Sequence, residues 1–178
     1  MTTYLAMFPP NERAHLISLF YRAGMWISQV DDDGAQSADD VEAQTLARLL
    51  GNVAKNPQRS AFVREVAGEA LRQKDNWTRW NGNLDQFIGE AQQGVRILKP
   101  IASPPEIIDF IAGLRALAEA VAMANHEDSD AEDHTDIEEG GILGKLKRLL
   151  PQPKLSARNI SPLEDDALTE LARALKQV

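Results

Sequence analysis

The stretch 103–124, SPPEIIDFIAGLRALAEAVAMA, decides how the rest of the chain is read. Ser103 offers a capping hydroxyl, Pro104 fills the first helical position where no N–H is needed, and Glu106 can close a capping box onto Ser103. Behind that start, Ile107, Phe110, Ile111, Leu114, Leu117, Ala118 and Val121 recur at helical spacing on one face. A long helix at the centre of the core is predicted, ending in an acidic run, Glu127 to Glu139.

The same device recurs downstream. Ser161-Pro162-Leu163-Glu164 opens a last helix with Leu168, Leu171, Ala172 and Leu175 inward. Upstream, Asn11 after Pro9-Pro10 predicts the cap of a first helix, with Leu16, Phe20, Ala23, Ile27 and Val30 inward, running into Asp31-Asp32-Asp33-Gly34. Ser37 and Asp40 open a second helix carrying Leu46, Leu49, Leu50 and Val53. Asn56-Pro57 opens a third carrying Phe62, Val63, Val66, Ala70 and Leu71. A loop from Asp75 to Gly82 holds Trp77 and Trp80, and a fourth helix from Leu84 to Leu98 stops before Pro100. Strict alternation of apolar and polar residues is absent, so the fold class is all-α: a single bundle of about six or seven helices.

An apolar helix, an acidic break and a Ser-capped helix with an acidic first turn occur twice, which predicts pseudo-duplicated halves. The whole chain, 1–178, is expected to be one domain, with 126–160 an acidic, then basic, mobile insertion.

Composition narrows function. The chain has 178 residues, 43% of them hydrophobic, no cysteine and a formal net charge of -8. Without cysteine there is no disulfide framework, thiolate zinc site, iron–sulfur cluster or cysteine nucleophile. The segment His126–Glu139 holds 8 acidic residues and no Lys or Arg, so the remainder of the chain is neutral. Nucleic acid is not an expected partner, because phosphate is repelled by that balance. The start MTTYLAMFPP has no basic region ahead of its short apolar run, and no segment reaches the roughly 18–20 apolar residues of a membrane span. A cytoplasmic location is expected.

The acidic breaks are the dense polar constellations. On a calcium-loop template, Asp31, Asp33, Ser37, Asp39 and Glu42 occupy ligand positions, but Gln36 stands where the turn needs glycine. Asp128, Asp130, Glu132, Asp136 and Glu139 match again, with Asp133 in the glycine place. Such carboxylate density makes chance matches easy, so neither is an EF-hand. Carboxylates crowded at a helix end either stay hydrated or hold a hard divalent cation: Ca²⁺, Mg²⁺ or Mn²⁺. His126 and His134 lie among the acids without HExxH spacing, and His15 in the first helix reads as packing. No Gly-x-Ser-x-Gly, P-loop or Gly-x-Gly-x-x-Gly is present, so no enzyme is expected. Trp77 and Trp80 read as a lid on the core in preference to an aromatic and basic surface for a partner, and Tyr21, Arg22 and Trp26 read as helix packing with one polar tip. Segment 142–150 is basic and amphipathic. Pairing with the acidic tract is favoured for it over contact with a membrane surface.

The stretch Leu19 to Gly34 (LFYRAGMWISQVDDDG), followed by the Ser37 cap and an acidic first turn, resembles the first half of the tellurite-resistance TerB-like domains. The stretch Leu117 to Ala124, leading into acids and then Ile160-Ser161-Pro162-Leu163-Glu164, looks like its duplicated partner. The resemblance implies an all-helical bacterial protein with acidic residues of both halves facing one another around bound cations, tied to stress responses, without enzymatic activity. Asp31, Asp33 and Gly34 match the first unit, with Asp39 and Glu42 beside them. In the second unit Glu164 is the corresponding acid, together with one of Asp128, Asp130 or Asp136. The alternative is a helical interaction module for an unidentified protein partner, in which the acidic tract is only a solvated tether.

Overall fold

In the computed structural model, residues 3–30, 39–131 and 160–178 are described, with backbone only at 39–42 and 125–131. These residues form seven α-helices and no strand: α1 (Pro10–Ser28), α2 (Asp39–Lys55), α3 (Ala61–Arg72), α4 (Trp77–Trp80), α5 (Phe87–Leu98), α6 (Pro104–Ala131) and α7 (Pro162–Lys176). Short 3-10 turns at Tyr4–Met7, Lys74–Asn76 and Leu84–Gln86 join or precede them.

The two proline starts fall where the sequence predicts, and the complete capping box forms at the second of them. Ser161 Oγ accepts from Glu164 N–H at 3.1 Å, and Glu164 Oε2 accepts from Ser161 N–H at 3.1 Å, which completes the box. At α6 the Glu106 carboxylate takes both the N–H and the hydroxyl of Ser103, at 2.8 and 2.7 Å. Other boundaries differ. Helix α1 begins at Pro10 with Pro9 as its cap residue, which puts Asn11 inside the helix, and it ends at Ser28, ahead of the aspartates. Asn56-Pro57 does not start α3. Asn56 Oδ1 accepts from Gln58 N–H at 2.9 Å and its carbonyl from Arg59 N–H at 3.1 Å, which closes a tight turn. The cap falls to Ser60, whose hydroxyl accepts from Val63 N–H while Asp109 of α6 holds its own N–H at 2.6 Å. The expected 75–82 loop contains the single turn α4, and α5 starts at Phe87, after a 3-10 turn. Ser37 and the 142–150 segment lie outside the described residues.

One apolar core draws on all seven helices. Its centre is an aromatic row: Phe20 meets Phe110 edge-on at 5.4 Å, Phe110 lies 5.9 Å from Phe62, and Phe62 lies 5.9 Å from Phe8. Leu171 and Leu175 of α7 are buried as predicted, while Leu168 is partly covered. Glycines allow the closest approaches: a Cβ on Gly113 would stand 3.1 Å from Phe20 Cζ, one on Gly24 3.3 Å from Val121 Cγ2, and one on Gly94 2.5 Å from Leu19 Cδ1.

These neighbours fix direction. Phe20 faces Phe110 and Gly113, and one turn later Gly24 faces Val121, so α1 and α6 run in the same sense. Helix α5 opposes α1, with Leu16 and Leu19 near Gly94, Arg22 on Glu90 and Trp26 on Phe87. Helix α7 follows α5, with Gln92 Nε2 donating to the Ala174 carbonyl and Lys99 reaching the Val178 carbonyl. Helices α1 and α6 therefore end, and α7 begins, at one end of the bundle; α2 follows α1 there.

Candidate functional site

Four of the seven predicted acidic positions lie on helix turns at that end whose backbone alone is described. Asp39 and Glu42 occupy the first turn of α2, and Asp128 and Asp130 the last turn of α6. Asp31 and Asp33, which follow the end of α1, lie outside the described residues, as do His134 and the acids beyond residue 131. The seventh predicted position, Glu164, is described in full. It is buried and one of its oxygens serves the cap of α7, so the packing of that helix start depends on it. Among the described residues no group of three or more His, Asp or Glu side chains gathers in metal-binding geometry.

The described polar network is elsewhere, and it gathers on Arg22. This cation sits inside the apolar run of α1 and is buried. Its Nε donates to Glu90 Oε2 at 2.7 Å, Nη1 to the carbonyls of Trp80 and Gly82, the latter at 2.7 Å, and Nη2 to the Asn83 carbonyl at 3.0 Å. The guanidinium fork thus holds the α4–α5 connection against α1, including Asn83 at φ 46°, a left-handed conformation that asparagine tolerates. His15 bonds the Glu90 carbonyl at 2.9 Å, which fixes the helix that carries the carboxylate. The reading of Arg22 as helix packing with a polar tip missed this junction. The available signal was a cation at an inward position between Tyr21 and Ala23.

The aromatic lid is as expected. Trp77 is buried, donates its indole N–H to the Ala70 carbonyl at 3.0 Å, and packs 4.7 Å from the Tyr21 ring, and Trp80 lies 5.9 Å from the same Tyr21 ring. Lys74 stands over the Trp77 ring at 5.6 Å, so the basic residue there serves the lid.

Two carboxylates are tuned by their surroundings. Burial pushes the Asp109 carboxyl up, but the Ser60 N–H and the Arg59 guanidinium, at 2.6 and 2.9 Å, outweigh it and hold the group below its usual range. Gln73 and then Arg72 lower the Glu69 carboxyl in the same way. Both are structural pairings. Between α6 and α7 an open groove of about 360 Å³ is lined by Arg115, Glu119, Asp165, Leu168, Arg173 and Lys176, a mixed-charge surface. No helix among the described residues is long and apolar enough to cross a membrane. No protein family, curated protein or solved structure matches the chain, so the TerB-like resemblance rests on its quoted motifs alone.

Proposed function

We propose that this is a non-enzymatic, TerB-like helical protein that binds divalent cations where its acidic helix breaks meet and that acts in a stress response through a protein partner. One observation carries the reading: α1 and α6 run parallel and end at the same end of the bundle, where α2 and α7 begin, so both acidic segments follow helices that end together. Acids far apart in sequence are thereby directed to one region. Hard, oxygen-seeking ions such as Ca²⁺, Mg²⁺ or Mn²⁺ suit such a region. Calorimetric titration of the full-length protein tests it. Saturable binding tighter than millimolar that is lost in Asp31→Ala with Asp33→Ala is expected, and weaker binding that the double variant leaves unaltered overturns the reading.

A second reading, a helical interaction module, is favoured by the exposed side chains of Ile101 and Ile108, 40% and 67% accessible, which flank the start of α6. Limited proteolysis separates the two. A tract cut equally fast with and without cations supports the module, and cation-dependent protection supports the metal site.

A further inference from the structure

The dipeptide Asn81-Gly82 lies between the carbonyls that Arg22 holds. Both residues are exposed, and a Cβ on Gly82 would meet nothing within 4 Å, so nothing steric shields the pair. Neither the carboxamide of Asn81 nor the Gly82 N–H makes a hydrogen bond among the described residues. We propose that Asn81 is a deamidation site of this protein and that the Arg22 clamp sets its rate.

In the reaction the Gly82 nitrogen attacks Asn81 Cγ. A new C–N bond closes a succinimide, and the Cγ–Nδ2 bond of Asn81 breaks, releasing ammonia that carries away the Gly82 amide proton. Water then opens the ring at either carbonyl, leaving aspartate or isoaspartate with no change of oxidation state. Ring closure requires Asn81 to leave its present ψ of 0°, which turns the 81–82 peptide plane. Arg22 Nη1 opposes that turn because it bonds the carbonyl on each side, Trp80 and Gly82, while Nη2 holds Asn83. Reaction therefore proceeds from the locally opened loop, at the peptide rate multiplied by the open fraction. The product is not neutral for the fold. Isoaspartate adds one backbone atom between the two bridged carbonyls, so the fork can no longer reach both, and the modified loop stays loosened.

The test incubates the full-length protein at mildly alkaline pH, alongside a synthetic peptide of residues 77–85, and follows Asn81 by peptide mass spectrometry with isoaspartate detection. Folded protein should react at least about tenfold more slowly than the peptide, since opening breaks charge-assisted hydrogen bonds. Arg22→Lys, which keeps the charge and loses the fork, should bring the rate most of the way to the peptide's. Far-UV circular dichroism confirms that the helices persist. Should Arg22→Lys not fold, Glu90→Gln carries the test, because it frees the guanidinium from its carboxylate and should also speed the reaction. Equal rates in protein and peptide overturn the proposal, and so does an unchanged rate in a folded clamp variant.

Discussion

Replacing Gly113 by alanine tests the α1–α6 crossing on which the proposed meeting of the acidic breaks depends. In a free helix the change is worth about 1 kcal/mol in favour of alanine. In this bundle the added Cβ would stand 3.1 Å from Phe20 Cζ, 3.2 Å from Val63 Cγ1 and 3.3 Å from Phe20 Cε1. Neither neighbour has room to move. Phe20 and Val63 are fully buried, and Phe20 is wedged against Phe110. Overpacking a closed core costs about 1–3 kcal/mol, so the net effect is a loss of about 1 kcal/mol. Gly89, on the exposed face of α5, provides the opposite case: nothing lies within 4 Å of its added Cβ, so Gly89→Ala should stabilise by about 0.5–1 kcal/mol. Urea unfolding followed by far-UV circular dichroism reads both, with unchanged m-values. At about 2–4 °C per kcal/mol for a protein of this size, the two melting temperatures should straddle the parent by several degrees. A Gly113→Ala protein as stable as Gly89→Ala would mean that α1, α3 and α6 do not close around this position. The parallel course of α1 and α6 would then lose its footing.

Other consequences follow from the polar junctions. Arg22→Met should cost about 3 kcal/mol in the same unfolding assay, because it strips a part-exposed carboxylate and three carbonyls of their donor, and Arg22→Lys about half of that. A loss under about 1 kcal/mol would show that water replaces the fork without penalty. Asp109 makes stability pH-dependent. With its folded pKa depressed, its contribution is present above the unfolded value and is lost as pH falls through the folded one, so Asp109→Asn should flatten the acid limb below about pH 4. An acid limb identical to the parent's would contradict the pairing with Ser60 and Arg59. Ser161→Ala should lower stability by about 1 kcal/mol and speed amide exchange in the first turn of α7, whereas unchanged exchange there would argue against the box.

The helices were legible because burial at three-to-four spacing is written locally, and so were the Ser103 and Ser161 starts, whose capping partners sit within one turn. The start of α3 was not. Asn56-Pro57 carries both local signals of a helix start, yet the choice was made by Asp109, 49 residues further on, which takes the Ser60 N–H. Arg22 was obscured in the same way, since its carboxylate partner is 68 residues distant and its carbonyl partners come from a loop that sequence pattern does not orient. Of the seven acidic positions, Glu164 was legible as a capping residue, and its burial shows that role taken up. That the helix turns carrying Asp39, Glu42, Asp128 and Asp130 lie at one end of the bundle follows from helix direction, which no local spacing encodes.

Helix direction also divides the acids at that end into two kinds. Those in the first turns of α2 and α7, such as Asp39 and Asp165, sit at positive helix termini, where a negative charge is stabilised by about 0.3–1 kcal/mol. Asp128 and Asp130 lie in the last turn of α6, where the dipole opposes them by a similar amount. A cation relieves the second kind far more than the first, which sets the sign of a test. Without added metal, Asp128→Asn with Asp130→Asn should raise stability by about 0.6–2 kcal/mol, because repulsion from the helix end is removed. With a cation at a hundredfold its dissociation constant, the parent gains about 2.7 kcal/mol and the variant gains little, so their order reverses. If the variant is more stable by the same margin with and without cation, the acids at the end of α6 hold nothing.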